Sequence, residues 1–235
     1  MTSTRLPGKV LLPAGGKPML SHLVNRLRHV PSLNEIVLAT TINDTDQVLV
    51  DFAKEEGIRC FRGSEEDVMS RVVGAGEFAQ ADVIVQITGD CPIIDPAIVE
   101  QTIRLFLHND CDFAGNAEIP GYPIGMGTLV FKLSTLKTSF AMTIDKLDRE
   151  HVTRHIRLNP QLFKGIKLPP PPDLDWPDLA LTLDEQADYV LLKTIIEYFG
   201  DRKSLFSCND VIILLRSIHP EWATINQEVR RKGLN

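Results

Sequence analysis

Between Asp82 and Pro96 the chain reads Asp-Val-Ile-Val-Gln-Ile-Thr-Gly-Asp-Cys-Pro-Ile-Ile-Asp-Pro, and this stretch narrows the folds open to it more than any other. Val83 to Ile87 is a short β-branched run suited to a strand buried on both faces, as the middle of a parallel sheet requires. Gly89 then permits a tight turn. Asp90 follows at once, so a carboxylate sits just past the carboxyl end of a central strand, where open α/β sheets bind ligands. Two roles stand side by side for Asp90: holding a metal, or capping a turn or the helix that begins near Pro96.

The segments before this strand repeat one pattern. Met19, Leu20, Leu23, Val24 and Leu27 recur at helical spacing behind Pro18, and Glu35 to Thr41 reads as a buried strand. Asn43-Asp44-Thr45-Asp46 starts a helix that runs to about Glu56, with Val48, Leu49, Phe52 and Ala53 on its apolar face. Ile58 to Phe61 is a short strand, and Ser64 with Asp67 resembles a capping box at the head of the next helix. With the helix predicted over Pro96 to Leu107, the alternation points to a parallel sheet between two helical layers.

Beyond residue 110 the pattern changes to strand, loop and strand through Phe131, with a glycine-rich segment at 125–127 that allows close approach of a ligand or partner. A helix is predicted over Ser134 to Met142, and a charged helix from Asp145 on which Glu150, Arg154 and Arg157 stack along a solvated face. His151 and His155 would share a face of it. Phe163 to Leu168 is a strand, Pro169 to Pro172 a stiff connector, and Leu179 to Leu183 an apolar strand ending in Asp184. A helix from Gln186 to about Phe199 and a second one capped at Ser207 close the chain. Two strand-terminal aspartates, Asp90 and Asp184, form the arrangement by which a divalent metal is gripped between distant parts of a chain.

With 235 residues, 43% hydrophobic and 24% charged, the chain has the makings of one large domain with a small appendage. A net charge of -6 without a clustered basic face argues against a nucleic-acid backbone as the main partner, though not against a nucleotide. Cys60, Cys91, Cys111 and Cys208 form no Cys-x-x-Cys pair, so neither zinc nor a disulfide framework is expected. No apolar run reaches membrane length and no signal-peptide core opens the chain, so the expectation is a cytoplasmic protein without a membrane anchor.

Met1 to Lys9 reads Met-Thr-Ser-Thr-Arg-Leu-Pro-Gly-Lys. It fits a flexible basic start, and it also fits a phosphate cradle in which hydroxyls and backbone N–H groups meet the oxygens while Arg5 and Lys9 supply positive charge. The Walker A pattern is absent.

Several stretches, in order along nearly the whole chain, resemble one family. They are Ser3-Thr4-Arg5-Leu6-Pro7-Gly8-Lys9, Gly16-Lys17-Pro18-Met19-Leu20, Phe61-Arg62-Gly63-Ser64, Ile87-Thr88-Gly89-Asp90-Cys91-Pro92, Arg149-Glu150-His151-Val152-Thr153 and Leu183-Asp184-Glu185. Together they are similar to the spore-coat polysaccharide type of cytidylyltransferases, relatives of the CMP-sialate and CMP-KDO synthetases. The resemblance implies a Rossmann-like three-layer sandwich of the nucleotidyltransferase fold, with a mixed, mainly parallel sheet over residues 1–200 and a helical tail over 201–235. It implies transfer of CMP from CTP to a sugar acid with release of pyrophosphate, and a homodimer formed through residues 111–160.

By the same resemblance Ser3, Thr4, Arg5 and Lys9 hold the triphosphate, Ser64 and Arg71 lie near the nucleoside, and Asp90 and Asp184 bind Mg²⁺. Arg5, Lys9 and Asp90 would be the catalytic groups, with Glu150 and His151 toward the sugar. Two departures from the family accompany it. Relatives carry an apolar strand ahead of the Ser-Thr-Arg loop, whereas Met1 already lies inside that loop, which leaves a misplaced start, an altered sheet edge or lost activity as readings. After Tyr122-Pro123, many relatives have acidic residues where this chain has Ile124, Gly127 and Leu129. A nucleotidyltransferase of another specificity, a GT-A-like glycosyltransferase or an impaired nucleotide-binding homologue are the alternatives.

Overall fold

The computed structural model describes residues 5–116 and 121–229. A short hairpin of β1 (Pro13–Ala14) and β2 (Lys17–Pro18) turns through Gly15 and Gly16, both at positive φ, and leads into α1 (Met19–Leu27). The predicted alternation follows: β3 (Val37–Thr41), α2 (Gln47–Glu56), β4 (Arg59–Gly63), α3 (Val68–Ala79), β5 (Val83–Gln86) and α4 (Pro96–Leu107). Each helix has a local reason to start or stop. Gly57 ends α2 in the left-handed region, Asp67 accepts from Ser70 N at the head of α3, and Asp95 accepts from Ala97 N ahead of Pro96 in α4.

The second half supplies β6 (Phe113–Gly115), β7 (Leu129–Lys132), α5 (Leu133–Met142), α6 (Lys146–Glu150), α7 (Arg154–Leu158) and β8 (Gly165–Lys167), then α8 (Gln186–Phe199) and α9 (Cys208–Ile213). β7 runs antiparallel to both β5 and β6, and β6 is parallel to β8. One helical layer packs α1, α2 and α4 in a core containing Leu23, Phe52 and Ile103. The opposite layer sets α3, α5 and α7 around Met69, Leu136, Phe131 and Ile156. The result is the expected three-layer α/β sandwich on a mixed sheet.

The sheet is divided. Among the described residues β3 pairs with β4 alone, and β5, β7, β6 and β8 form a separate four-stranded sheet. β5 was expected at the middle of a parallel sheet and buried on both faces. It is instead antiparallel to its one neighbour and half-buried at every residue, because no described strand pairs with its other edge. β3 likewise has only Thr40 buried.

Three further expectations are corrected. The capping box at Ser64 is displaced: Ser64 Oγ accepts from Asp67 N at 3.0 Å, but Asp67 is the residue that caps α3. The charged helix after Asp145 is broken, since buried Val152 adopts φ 51° and separates α6 from α7. His151 and His155 therefore do not share a helix face, and Arg154 pairs with the buried Asp148 at 2.5 Å instead of with Glu150. Finally, Leu179 to Leu183 is buried but is not a strand: it makes one parallel bridge between Ala180 and Ile124.

That bridge explains the glycine at 125. Gly125 has φ +102°, and a Cβ there would lie 2.7 Å from Leu181 O, so the close approach is made by the chain's own backbone. Gly125→Ala should cost about 2 kcal/mol or more and lower Tm by about 4–8 °C in a thermal melt.

Residues after α8 share its core: Phe206, Cys208, Val211 and Leu215 pack with Leu181, Leu183, Leu191 and Ile195. Asp148 contributes a pH dependence. Burial pushes its carboxyl up, but hydrogen bonds from Thr143 (2.7 Å) and Arg154 override this and hold it below the ordinary value. A depressed carboxyl stabilises the fold above its unfolded pKa of about 3.9, and that contribution disappears as pH falls through the folded value. Melts of Asp148→Asn should show a lower Tm at pH 7 and a shallower loss below about pH 4 than the parent chain.

Candidate active site

Gly8, at φ 68°, turns the chain into a 3-10 turn at Lys9–Leu11, closed by Leu11 N donating to Gly8 O at 2.9 Å. This turn aims Lys9 inward. Its Nζ lies 3.2 Å from Asp184 Oδ1 and 3.5 Å from Asp90 Oδ2, so one ammonium sits against both carboxylates. Arg5 lies beside it, with Nη2 3.1 Å from Asp184 Oδ1 and Nη1 3.1 Å from Glu185 Oε1. The four side chains predicted to work together, Arg5, Lys9, Asp90 and Asp184, do meet.

Backbone bonds set this convergence. Asp90 O accepts from Leu183 N at 2.8 Å, which seats the residue before Asp184 against the turn after β5. Asp188, wholly buried, then accepts from the backbone N–H of Asp184 at 3.0 Å and of Glu185 at 2.9 Å, while its other oxygen accepts from Asn226 at 2.7 Å. The capping box of Glu185 and Asp188 thus positions Asp184 as well as starting α8. Sequence reading missed Asp188 as a positioning residue, although its place three residues after Glu185 was the available signal. Asp188→Asn should reduce ligand-induced protection at the site and lower Tm by several degrees, readable in a thermal-shift titration.

The cluster is accessible: Lys9 and Asp184 side chains are 17% and 18% exposed, Asp90 28%. Among the described residues, two cations stand against three carboxylates. Cys91 is buried beside it, and burial, then the Asp90 charge, push its thiol up, so it stays protonated. Asp90 and Asp184 offer hard oxygen ligands, and no group of three metal-binding side chains occurs among the described residues. That donor set suits Mg²⁺, which takes one or two carboxylates and fills its remaining positions with water and phosphate oxygens.

Of the other predicted residues, Ser64, Arg71, Glu150 and His151 belong to other elements. Ser3 and Thr4 fall outside the described residues. Ser64 follows β4, and the Arg71 guanidinium donates to its carbonyl oxygen; burial lowers the Arg71 pKa, opposed by Asp46, Glu65 and Asp67. Glu150 and His151 are exposed at the end of α6, whose Arg149 is tied to Asp67 at 3.1 Å. Ile124 and Leu129, at the positions without carboxylates, are taken up in the bridge to Ala180 and in β7.

Comparison with known proteins gives the family. A family model described as cytidylyltransferase matches residues 1–216. The chain is 34% identical over 229 residues to the spore coat polysaccharide biosynthesis protein SpsF of Bacillus subtilis, covering 95% of this chain and 93% of that one. It is 30% identical over 147 residues to a 3-deoxy-manno-octulosonate cytidylyltransferase of Trichlorobacter lovleyi, covering 62% and 52%. The structure of a cytidylyltransferase from Leptospira borgpetersenii superimposes with a TM-score of 0.90 at 33% identity, covering 98% of this chain and 95% of that one. An ordered set of motifs, a three-layer sandwich and one end-to-end structural match lead to the same place: the chain belongs to the cytidylyltransferase family.

Proposed function

We propose that the protein transfers CMP from CTP to a sugar acid and releases pyrophosphate, for surface polysaccharide or glycoconjugate synthesis. The observation that carries this reading is Lys9 seated between Asp90 and Asp184 with Arg5 alongside. In the reaction a sugar hydroxyl oxygen bonds to the α-phosphorus, the bond from that phosphorus to the bridging oxygen breaks, and the hydroxyl proton passes to solvent or a base. Arg5 and Lys9 are the cations for the non-bridging and departing oxygens, where negative charge grows. Asp90 and Asp184 would hold Mg²⁺, which supplies further charge neutralisation to the phosphates when bound.

Arg71 and the Ser64 backbone form a polar end to β4 suited to a nucleoside, and Glu150 with His151 offers an exposed polar pair for the sugar. A homodimer is supported by exposed apolar residues on α5, α6 and α7 and on the link between the first two: Met142, Ile144, Leu147 and Leu158, with Ile144 93% exposed. A cytoplasmic site of action accords with a nucleotide substrate. Among the described residues no helix is long and apolar enough to cross a membrane.

The test is to follow pyrophosphate from CTP, Mg²⁺ and a panel of sugar acids, with other NTPs as controls. Turnover with CTP that Asp90→Ala abolishes supports the reading; turnover that Asp90→Ala leaves intact defeats it. A second reading, CTP binding without turnover, draws on the division between β3 and β5, because Asp90 follows a strand with one edge unpaired among the described residues. A CTP-induced thermal shift with no pyrophosphate from any acceptor would favour it.

A further inference from the structure

Asn226, in the tail after α9, is only 5% exposed. Its Nδ2 donates to Ala180 O at 3.0 Å and to Asp188 Oδ1 at 2.7 Å. Those acceptors stand four residues before and four residues after Asp184. Each already has a place in the fold: Ala180 bridges Ile124, and Asp188 Oδ2 accepts from Asp184 N and Glu185 N in the cap of α8. One amide therefore ties together the two ends of the segment that carries Asp184.

The tail that carries this amide is itself seated on α8. The chain leaves α9 through a π-helical turn, Leu214–Ile218, closed by His219 N donating to Leu214 O at 2.7 Å. The His219 ring then stacks on Trp222, with 4.0 Å between centroids and 5° between planes, and Tyr198 of α8 meets both rings edge-on at 5.6 and 5.8 Å. Trp222 and Ile225 pack against the core that includes Leu191 and Ile195 of the same helix. Such ring contacts favour a narrow set of geometries, so the chain reaches Asn226 with its direction already set.

A segment that only had to cover the core of α8 would do so with an apolar side chain at 226, because a buried amide and a buried carboxylate are both costly unless paired. We infer that Asn226 is a positioning residue: by clasping Ala180 to Asp188 it fixes the backbone of Asp184, and with it the approach of that carboxylate to Asp90. The inference rests on the reading of Asp184 as a ligand of the metal that serves CTP. Lys9 Nζ already lies within 3.5 Å of both carboxylates, so a displacement of the segment by about 1 Å is enough to take them off a common cation. The tail after residue 200 is then part of the site and not an appendage to it.

The experiment compares the full chain with three variants. Asn226→Leu keeps the volume and removes both donors. Phe163→Leu loosens a buried core elsewhere, as a control for stability alone. In the double change Asp188→Asn with Asn226→Asp, amide and carboxylate trade places, which restores the hydrogen bond between the two side chains and leaves an acceptor for Asp184 N and Glu185 N. Amide exchange at Asp184 and Glu185 is read by NMR, and affinity for Mn²⁺ by calorimetric titration. The expected result for Asn226→Leu is exchange faster by about tenfold or more and Mn²⁺ affinity lower by about 10- to 100-fold. The exchanged pair should recover a large part of both, and Phe163→Leu should lower Tm and move neither. Exchange and affinity within about twofold of the parent in Asn226→Leu, equal losses in Phe163→Leu, or an exchanged pair no better than Asn226→Leu would each overturn the inference. A parent chain that binds no Mn²⁺ would defeat the proposed reaction instead, and exchange at Asp184 and Glu185 would still decide whether Asn226 holds them.

Discussion

Replacing Lys9 by methionine should reduce CTP turnover roughly 10²- to 10³-fold while tightening divalent-cation binding, two changes of opposite sense from one substitution. The ammonium touches Asp184 Oδ1 at 3.2 Å and Asp90 Oδ2 at 3.5 Å, so a metal entering between these carboxylates competes with it for the same oxygens. Without it, two carboxylates face each other with Arg5 beside Asp184, and their repulsion favours a cation. Asp184→Asn acts differently. It removes one of the two carboxylates proposed to hold the metal and a partner of both Arg5 and Lys9, so turnover and metal affinity should fall together. Pyrophosphate release and calorimetric titration with Mg²⁺ and Mn²⁺ separate the two patterns. Weaker metal binding in Lys9→Met would show that the lysine does not occupy the metal's place.

The part of this site that sequence exposes is the part written in local chemistry. Asp90 follows a β-branched run and a glycine, and Asp184 follows a second apolar run, so each is visible as a carboxylate at the end of an extended segment. Their meeting is not local. It depends on Leu183 N reaching Asp90 O and on Asp188 holding the Asp184 backbone, contacts between residues far apart or hidden inside a helix cap. Extended conformation at Leu179 to Leu183 was legible from its apolar residues, yet its partner was not. It lies against Gly125, whose positive φ serves this contact rather than a ligand.

Helices were read with fewer errors than sheet order for a related reason. Pro96 to Leu107 carries its start signal, Asp95, and its apolar stripe within one segment, and the observed α4 has those limits. Pairing of β5 with β7 joins segments more than forty residues apart, and composition carries no register for such a pair. The division beside β5 was anticipated only through the resemblance, since Val83 to Gln86 alone demands burial and does not say by what. The break at Val152 had no local signal either. A β-branched residue at φ 51° is disfavoured by its own geometry, and the break is flanked by buried Asp148, which accepts from Thr143 and from Arg154 on either side of it.

Arg26→Met should be the most destabilising single change outside the site, at about 3–5 kcal/mol, lowering Tm by about 10 °C or more. The side chain is 2% exposed, and burial pulls its pKa down to about 10 against the opposing charge of Asp95. Its guanidinium donates to Phe206 O at 2.9 Å and to Ile94 O and Ser204 O at 3.3 Å, and lies 4.0 Å from the centre of the Phe206 ring. Methionine fills much of the volume, so the loss comes from three carbonyls stripped of a donor and from Asp95 without its neighbouring cation. Asp95 in turn caps α4 and accepts from Cys208 N at 2.7 Å, so α1, α4 and the segment after α8 meet at one polar knot. Because Val211 and Leu215 share a core with Leu191 and Ile195, amide protection in α9 and α8 should fall together in this variant. Protection lost from α9 while α8 keeps its own would mark residues after 200 as a separately melting unit, and hydrogen exchange read by mass spectrometry distinguishes the two outcomes.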